Sequence, residues 1–157
     1  MRNTIIRRAT LADLETLLTF EQGIITAERP FDPTLGKDPI HYYDLAALLQ
    51  AEDAIVLVAS IANKIIGSGY AKIKQASSYL DHEQYSYLGF MYTRPEYRGK
   101  GVNTEIVEEL KKWSHQRGIK EIRLRVYEDN VPAIRAYEKT GFQKHLVEMR
   151  LPTKTSS

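Results

Sequence analysis

Apolar residues recur along the chain with two different spacings, which predict both helices and strands. After a short strand over 4–8, apolar positions return at helical spacing and predict helices over 11–27 and 40–50. A stretch with two prolines and a glycine, 29–36, separates the two helices and predicts a loop. The first third of the chain is therefore a strand followed by two helices.

The rest of the chain alternates strands and helices. β-rich runs predict strands over 54–59, 65–73 and 85–93, followed by a helix over 101–117, a strand over 121–127 and a helix over 132–139. Gly89 inside the third of these strands indicates a bulge or a close approach to the backbone. Hairpins in the middle and a βαβ unit over 85–127 predict a mixed, mostly antiparallel sheet with helices on both faces, an α/β (α+β) fold.

The C-terminal segment 142–151 reads as extended but contains no Gly, Asn or Pro turn signal. A final hairpin is therefore not expected. Either one long strand ends the sheet, or a partner supplies the missing edge, because exposed sheet edges are usually covered. The second alternative predicts a homodimer that uses this strand.

Composition narrows the class of protein. The chain has 157 residues, of which 43% are apolar and 27% are charged, which is ordinary for a globular protein. We expect one domain over 1–152 and a disordered tail over 153–157. The net charge of +2 and the short apolar runs favour neither a nucleic-acid nor a membrane partner.

The remaining signals concern compartment and metals. There is no secretory core at the N-terminus, so a cytoplasmic protein is expected. Cysteine is absent, which excludes a disulfide scaffold, a thiolate metal site and a cysteine nucleophile. The four histidines are scattered without zinc spacing, so no metal is predicted.

A basic, glycine-containing loop precedes the helix over 101–117. Gly99 and Gly101 can bring main-chain N–H groups forward, the helix N-terminus adds partial positive charge, and Arg98 and Lys100 add whole charges. This combination is typical of a phosphate or pyrophosphate site. An ordinary strand-to-helix turn with solvated basic residues has the same composition.

A second pattern begins at Asn130. Asn130, Ala133 and Tyr137 share one face of the predicted helix, and the small residue between the polar ones leaves room for a long, thin ligand. The alternative is that Asn130 caps the helix and Tyr137 packs in the core.

Together these two motifs, R-G-K-G before a helix and N-x-x-A-x-x-x-Y-x-x-x-G-F after the next strand, resemble the GNAT superfamily of acyl-CoA-dependent N-acetyltransferases. The opening 6–14 is also similar to the start of such domains. The resemblance is most specific over 88–142. It implies the GNAT fold with a βαβ CoA-binding core.

The resemblance also implies which residues hold acetyl-CoA as cosubstrate. The pyrophosphate loop of the family falls on 98–103, where Asn103 replaces the usual Gly or Ala and either crowds the phosphate or donates to it. The splayed strand of the family falls on 90–92. The implied cofactor-binding residues are Phe90, Met91, Tyr92, Arg98, Gly99, Lys100, Gly101, Val102, Asn103, Thr104, Asn130, Ala133 and Tyr137.

The implied activity is transfer of an acetyl group from acetyl-CoA to a primary amine, with Tyr137 protonating the departing thiolate. The alternative is a non-catalytic acyl-CoA-binding sensor on the same fold. The general base stays open among Glu28, Asp32, His82 and Glu83. On the acceptor side we select Glu28, Phe31 and Tyr70. The tyrosines before the CoA loop either line the acceptor pocket or simply pack in the core.

Overall fold

A computed structural model describes residues 3–153 of the chain. In chain order the elements are β1 (Ile5–Arg8), α1 (Leu14–Glu28), α2 (Leu45–Gln50), β2 (Ala54–Ile61), β3 (Lys64–Gln75), β4 (Gln84–Thr93), α3 (Val102–Gln116), β5 (Ile122–Arg123) and α4 (Val131–Lys139). Short 3₁₀ turns precede α1 at Leu11–Asp13 and follow β4 at Pro95–Tyr97. No helix between residues 3 and 153 has the length and the apolar run that a membrane crossing requires.

The strands form one five-stranded sheet in the order β1-β2-β3-β4-β5. The first four strands are antiparallel neighbours, and β5 joins β4 in parallel after the α3 crossover. This is the mixed, mostly antiparallel sheet that the sequence predicted.

Each face of the sheet carries its own hydrophobic core. On one face α1 and α2 cover the inward side chains of β2 together with Tyr70 and Phe90. On the other face α3 covers Leu88 and further residues of β2 and β3, and Tyr137 and Phe142 pack at the margin of this core. Because helices lie on both faces, β2 is buried along nearly its whole length and reads as a continuous apolar run.

The C-terminal part of the chain differs from the expectation. The predicted strand over 121–127 is paired only over Ile122–Arg123, because Tyr127 turns away to stack its ring on Phe31. Residues 142–153 pair with no strand among the described residues, so a long last strand over 142–151 is wrong for this chain. Four large apolar side chains of this segment are exposed: Leu146, Val147, Met149 and Leu151.

Two further expectations concern the start of the second helix and the C-terminal end of the chain. The second helix begins at Leu45 rather than near residue 40, because Asp44 caps it by accepting the Ala47 N–H at 3.1 Å. The predicted disordered tail lies outside the described residues except for Thr153. Pairing of the C-terminal segment with a second copy stays a prediction.

A buried carboxylate fixes the segment before α2. Glu21 of α1 is fully buried, and its Oε2 accepts the main-chain N–H groups of Tyr42 and Tyr43 at 2.9 Å each. Its other oxygen lies 2.8 Å from Nδ1 of His41. Three polar groups of the segment 41–43 therefore have this one side chain as their hydrogen-bond partner.

We expect Glu21→Met to lower the free energy of unfolding by about 2–4 kcal/mol. The thioether fills a similar volume but leaves two main-chain donors without an acceptor, and each buried unmet donor costs about 1–3 kcal/mol. Equilibrium urea denaturation measures the loss. Glu15→Met on the exposed side of the same helix is the control, and equal stability of the two variants would contradict this role.

Candidate active site

A β-bulge interrupts β4 at Phe90. Ser68 pairs with Tyr92 and Tyr70 pairs with Gly89, so β4 uses two residues where β3 uses one. Phe90 takes a φ of 58°, a left-handed conformation that costs a non-glycine residue about 1–3 kcal/mol. Its side chain is buried and its carbonyl accepts the Ser68 hydroxyl at 3.0 Å, which hold the conformation in place. The irregularity indicated by Gly89 is confirmed.

From Leu88 onward, around the bulge, the sheet is open between β4 and the chain that follows β5. The two strands pair only at Ser86 with Ile122 and at Tyr87 with Arg123. Over 88–92 the outer edge of β4, the one away from β3, has no strand beside it among the described residues, because residues 124–127 are not in a strand. This unpaired edge, called the cleft below, offers main-chain groups with which an extended ligand can pair.

At one end of this cleft lies the loop before α3. Gly99 and Gly101 have φ of 74° and 86°, and Gly101 is the N-cap of α3. A Cβ at Gly99 would meet no atom within 4 Å, so the space in front of the loop is open. Left-handed residues before a helix N-terminus turn successive N–H groups toward one point, which suits an anion.

The charged and polar side chains of the loop surround this point. Arg98 and Lys100 are exposed, and the Nε of Arg98 donates to the Thr93 carbonyl at 2.9 Å. Thr104 is exposed in the first turn of α3. Val102 is buried in the core below, so only its main chain can contribute.

The face of α4 that the sequence singled out meets this loop. Asn130 caps α4 by accepting the Ala133 N–H at 3.4 Å, and its contact with the CoA arm stays a prediction. Two turns later the ring of Tyr137 packs edge-on against Phe142, with 5.9 Å between ring centroids.

The hydroxyl of Tyr137 is connected to the loop through Asn103. Burial raises the pKa of Tyr137 to about 12, and a hydrogen bond with the Asn103 side chain acts in the lowering direction. Asn103, which stands where the family usually has a small residue, thus forms a hydrogen bond with Tyr137. Whether Asn103 also reaches a phosphate was left open by the sequence, and its partner here is Tyr137.

Aromatic rings border a cavity on the α1 and α2 face of the sheet. Tyr43 packs edge-on against Tyr70 and Phe90, at centroid distances of 5.6 and 5.4 Å. A cavity of about 280 Å³ between α2 and β3 is bordered by Tyr42, Tyr43, Tyr70 and Lys72. These tyrosines therefore serve as core residues and as pocket walls together.

The two acidic residues proposed on this face have different environments. Asp32 accepts the Thr34 hydroxyl and N–H, the Tyr127 hydroxyl at 3.1 Å and the Arg150 guanidinium at 3.3 Å, and these hydrogen bonds, that of the Thr34 hydroxyl most of all, lower its pKa to about 2. Glu28 is half-buried, and burial raises its pKa, with the Tyr42 hydroxyl acting in the opposite direction. Glu28 is thus the stronger base of the pair.

The remaining base candidates lie elsewhere. His82 and Glu83 precede β4 at the end of the sheet opposite the bulge, and His82 contacts Asp81 and Glu121. Phe31, selected for the acceptor side, stacks on Tyr127 at 6.0 Å beside Asp32.

Comparison with known proteins gives the family. The model of the acetyltransferase (GNAT) family matches residues 22–142, which include the bulged strand, the glycine loop and Tyr137. The chain belongs to the GNAT family. It is an acyltransferase, as the resemblance of its motifs predicted.

Two curated proteins are similar in sequence to this GNAT protein. An aminoglycoside N(6')-acetyltransferase type 1 from Stenotrophomonas maltophilia is 24% identical over 116 residues, covering 71% of this chain and 74% of the relative. A streptothricin acetyltransferase from Escherichia coli is 34% identical over 91 residues. That match covers 58% of this chain and 48% of the relative, so the chain spans about half of its length.

Solved structures share the fold. The BH1408 protein from Bacillus halodurans, crystallised as a tetramutant, has a TM-score of 0.82 at 24% identity, with 95% of this chain and 99% of that chain covered. A predicted acetyltransferase from Clostridium acetobutylicum, crystallised with acetyl-CoA, has a TM-score of 0.71 at 20% identity, with 95% and 96% covered. The GNAT fold is therefore present over nearly the whole chain.

Sequence reasoning missed two features of this site. The contact between Asn103 and Tyr137 joins residues 34 positions apart in separate motifs, and the departure from the family pattern at 103 was its only signal. The anchoring of the tyrosine segment by Glu21 was also missed, although an acidic residue among the apolar positions of α1 marks it.

We expect Gly89→Ala to destabilise the protein by about 1–3 kcal/mol. An added Cβ would lie 2.5 Å from the Tyr70 ring, which must then leave its place, and such overpacking has this typical cost. Gly36→Ala is the matched control, because its Cβ would meet only Ile40 at 3.9 Å. Urea denaturation compares the two variants, and an unchanged Gly89→Ala midpoint would mean that Tyr70 does not lie against β4.

Proposed function

We propose that this chain transfers an acetyl group from acetyl-CoA to a primary amine by direct attack. The observation that carries the proposal is the unpaired outer edge of β4 over 88–92, which is followed along the chain by the glycine loop before α3. A ligand along this edge would place a thioester within reach of both faces of the sheet. A protein of the same fold crystallised with acetyl-CoA supports acetyl-CoA as the cosubstrate.

In this proposal the main-chain N–H groups near Gly99 and Gly101 hold the pyrophosphate, with Arg98 and Lys100 adding charge. The left-handed glycines and the open space before them fit a group of that size and sign. Main-chain groups of Phe90, Met91 and Tyr92 then pair with the pantetheine arm. The side chains of these three residues pack into the cores and leave the β4 edge to the main chain.

The acceptor amine has to lose a proton before it attacks. An alkyl ammonium has a pKa near 10.4, so deprotonation at pH 7 costs about 4–5 kcal/mol. We assign the proton to Glu28, whose raised pKa makes it a better base than an ordinary carboxylate. Asp32 is unsuited because its hydrogen bonds stabilise the ionised form.

When the tetrahedral intermediate collapses, the carbon–sulfur bond breaks and Tyr137 donates its proton toward the departing sulfur. A thiol has a pKa near 8.5 and that of Tyr137 is raised to about 12, so complete transfer is uphill by roughly 5 kcal/mol. Because the pKa of Tyr137 is raised and not lowered, the stabilisation comes from a hydrogen bond that strengthens as charge grows on sulfur.

We expect Tyr137→Phe to reduce kcat by about 10²–10³ while the Kd for acetyl-CoA changes little. The ring and its contact with Phe142 remain, and only the proton donor is lost, for which this range is typical. Thiol release with a panel of amines gives kcat, and calorimetry gives the Kd. Because its pKa is about 12, ionisation of Tyr137 should cause no loss of rate between pH 7 and 9.

The control is Tyr79→Phe, since Tyr79 is 85% exposed on the hairpin between β3 and β4. Wild-type kcat in Tyr137→Phe, measured where chemistry limits turnover, would make Tyr137 a structural residue. Tight acetyl-CoA binding without acetylation of any amine would favour the non-catalytic sensor instead.

A further inference from the structure

Cationic side chains lie on the α1 and α2 face of the sheet, beside the cavity that Tyr42, Tyr43 and Tyr70 border. Lys72 of β3 lies opposite Tyr87 of β4, which lies opposite Arg123 of β5. Directly paired residues project to the same face, so the three side chains form a row across the sheet. Lys74 belongs to the same face, two residues along β3.

The tyrosines of β4 hold two of these cations in place. The Nζ of Lys74 lies 4.4 Å from the ring centroid of Tyr87, and the guanidinium carbon of Arg123 lies 3.9 Å from that of Tyr85. Arg123 also pairs with Glu121. No carboxylate of residues 3–153 forms an ion pair with Lys72, Lys74 or Arg125, so their charges are available to a ligand.

This cationic row adjoins the pocket in which the amine would bind. Lys72 borders the same cavity as Tyr42 and Tyr70. Glu28 and Arg125 shift the pKa of Tyr87 in opposite directions, so both charges lie within electrostatic reach of that one ring. A negative charge and several positive charges thus flank Tyr87.

Few other carboxylates near the pocket are available to a cationic ligand. Asp32 is occupied by Arg150 and Tyr127. Asp44 borders the same cavity as Lys72 and uses one of its oxygens to cap α2. An acceptor with more than two ammonium groups would find Glu28 and Asp44 for two of them and repulsion for the others. An acceptor with one ammonium and one anionic group would satisfy both sides.

We propose that the acceptor is an amine that also carries an anionic group, a carboxylate or a phosphate, with the ammonium toward Glu28 and the anion toward Lys72 and Arg125. This proposal rests on the proposed function. It makes a prediction opposite to the preference for a polycationic amine that the name of the aminoglycoside relative would suggest for this chain.

Matched acceptors test the proposal with the full chain and acetyl-CoA. O-phosphoethanolamine is compared with ethanolamine, and β-alanine with β-alaninamide, so that the two pairs distinguish phosphate from carboxylate. Neamine serves as the polycation. We expect kcat/KM for at least one anionic acceptor to exceed that of its neutral partner tenfold or more, with neamine the poorest acceptor.

Two variants assign the effect to Lys72 of the row and to Arg125, which lies two residues beyond Arg123. Lys72→Gln and Arg125→Gln should each lower kcat/KM for the preferred anionic acceptor about five- to twentyfold and leave that of its neutral partner within twofold. Lys112→Gln, on the exposed side of α3 where it pairs with Glu109, is the control and should change neither. Thermal unfolding confirms that the variants remain folded.

The outcomes separate the two proposals. Turnover that is equal for charged and neutral acceptors, or highest for neamine, would overturn the anionic acceptor and leave the acetyltransferase activity standing. Equal losses for both members of a pair in Lys72→Gln and Arg125→Gln would overturn it as well. No turnover with any amine, despite acetyl-CoA binding, would overturn the proposed function and this inference together.

Discussion

The structure depends on one local constraint, the bulge that interrupts β4 at Phe90. The extra residue lies within the stretch 88–92, where the outer edge of β4 has no strand beside it among the described residues. Glycines of β3 make the close approach possible: a Cβ at Gly69 would lie 2.6 Å from the Met91 sulfur, and one at Gly67 would lie 3.0 Å from the Tyr92 carbonyl. The bulge and the contact of Tyr127 with Phe31 act together, because a regular β4 beside an extended 124–127 could pair along this edge.

The opening in the sheet connects two chemically different faces. On the α3 side are the left-handed glycines and Tyr137, and on the α1 side are Glu28 and the tyrosine walls. Glu28 raises the pKa of Tyr137 through its charge, which places the two groups in one electrostatic environment. In the proposed mechanism Glu28 is the proton acceptor on one face and Tyr137 the proton donor on the other.

Much of the fold was predictable because its signals are local. Gly89 marked the bulge, the apolar run of β2 marked a strand covered on both faces, and the spacing of Asn130 and Tyr137 placed the latter two turns from the cap. The lost pairing of residues 124–127 was not predictable. It depends on Tyr127 meeting Phe31 and Asp32, which lie about a hundred positions earlier in a loop.

The same distinction holds for the candidate site. The motif residues could be selected from the sequence, because the family pattern names residue types at fixed spacing. Choosing between Glu28 and Asp32 required the structure, since their side chains are nearly identical and only hydrogen bonds and burial separate their pKa values. The Asn103 contact likewise depends on how the loop meets α4.

The central claim is that the open edge of β4 binds the acyl-CoA arm through its main chain. Amide hydrogen exchange of residues 88–92, with and without acetyl-CoA, tests it most directly. The account predicts that exchange slows both in this stretch and in the glycine loop over 98–104. Slower exchange in the loop alone, with unchanged exchange over 88–92, would contradict it.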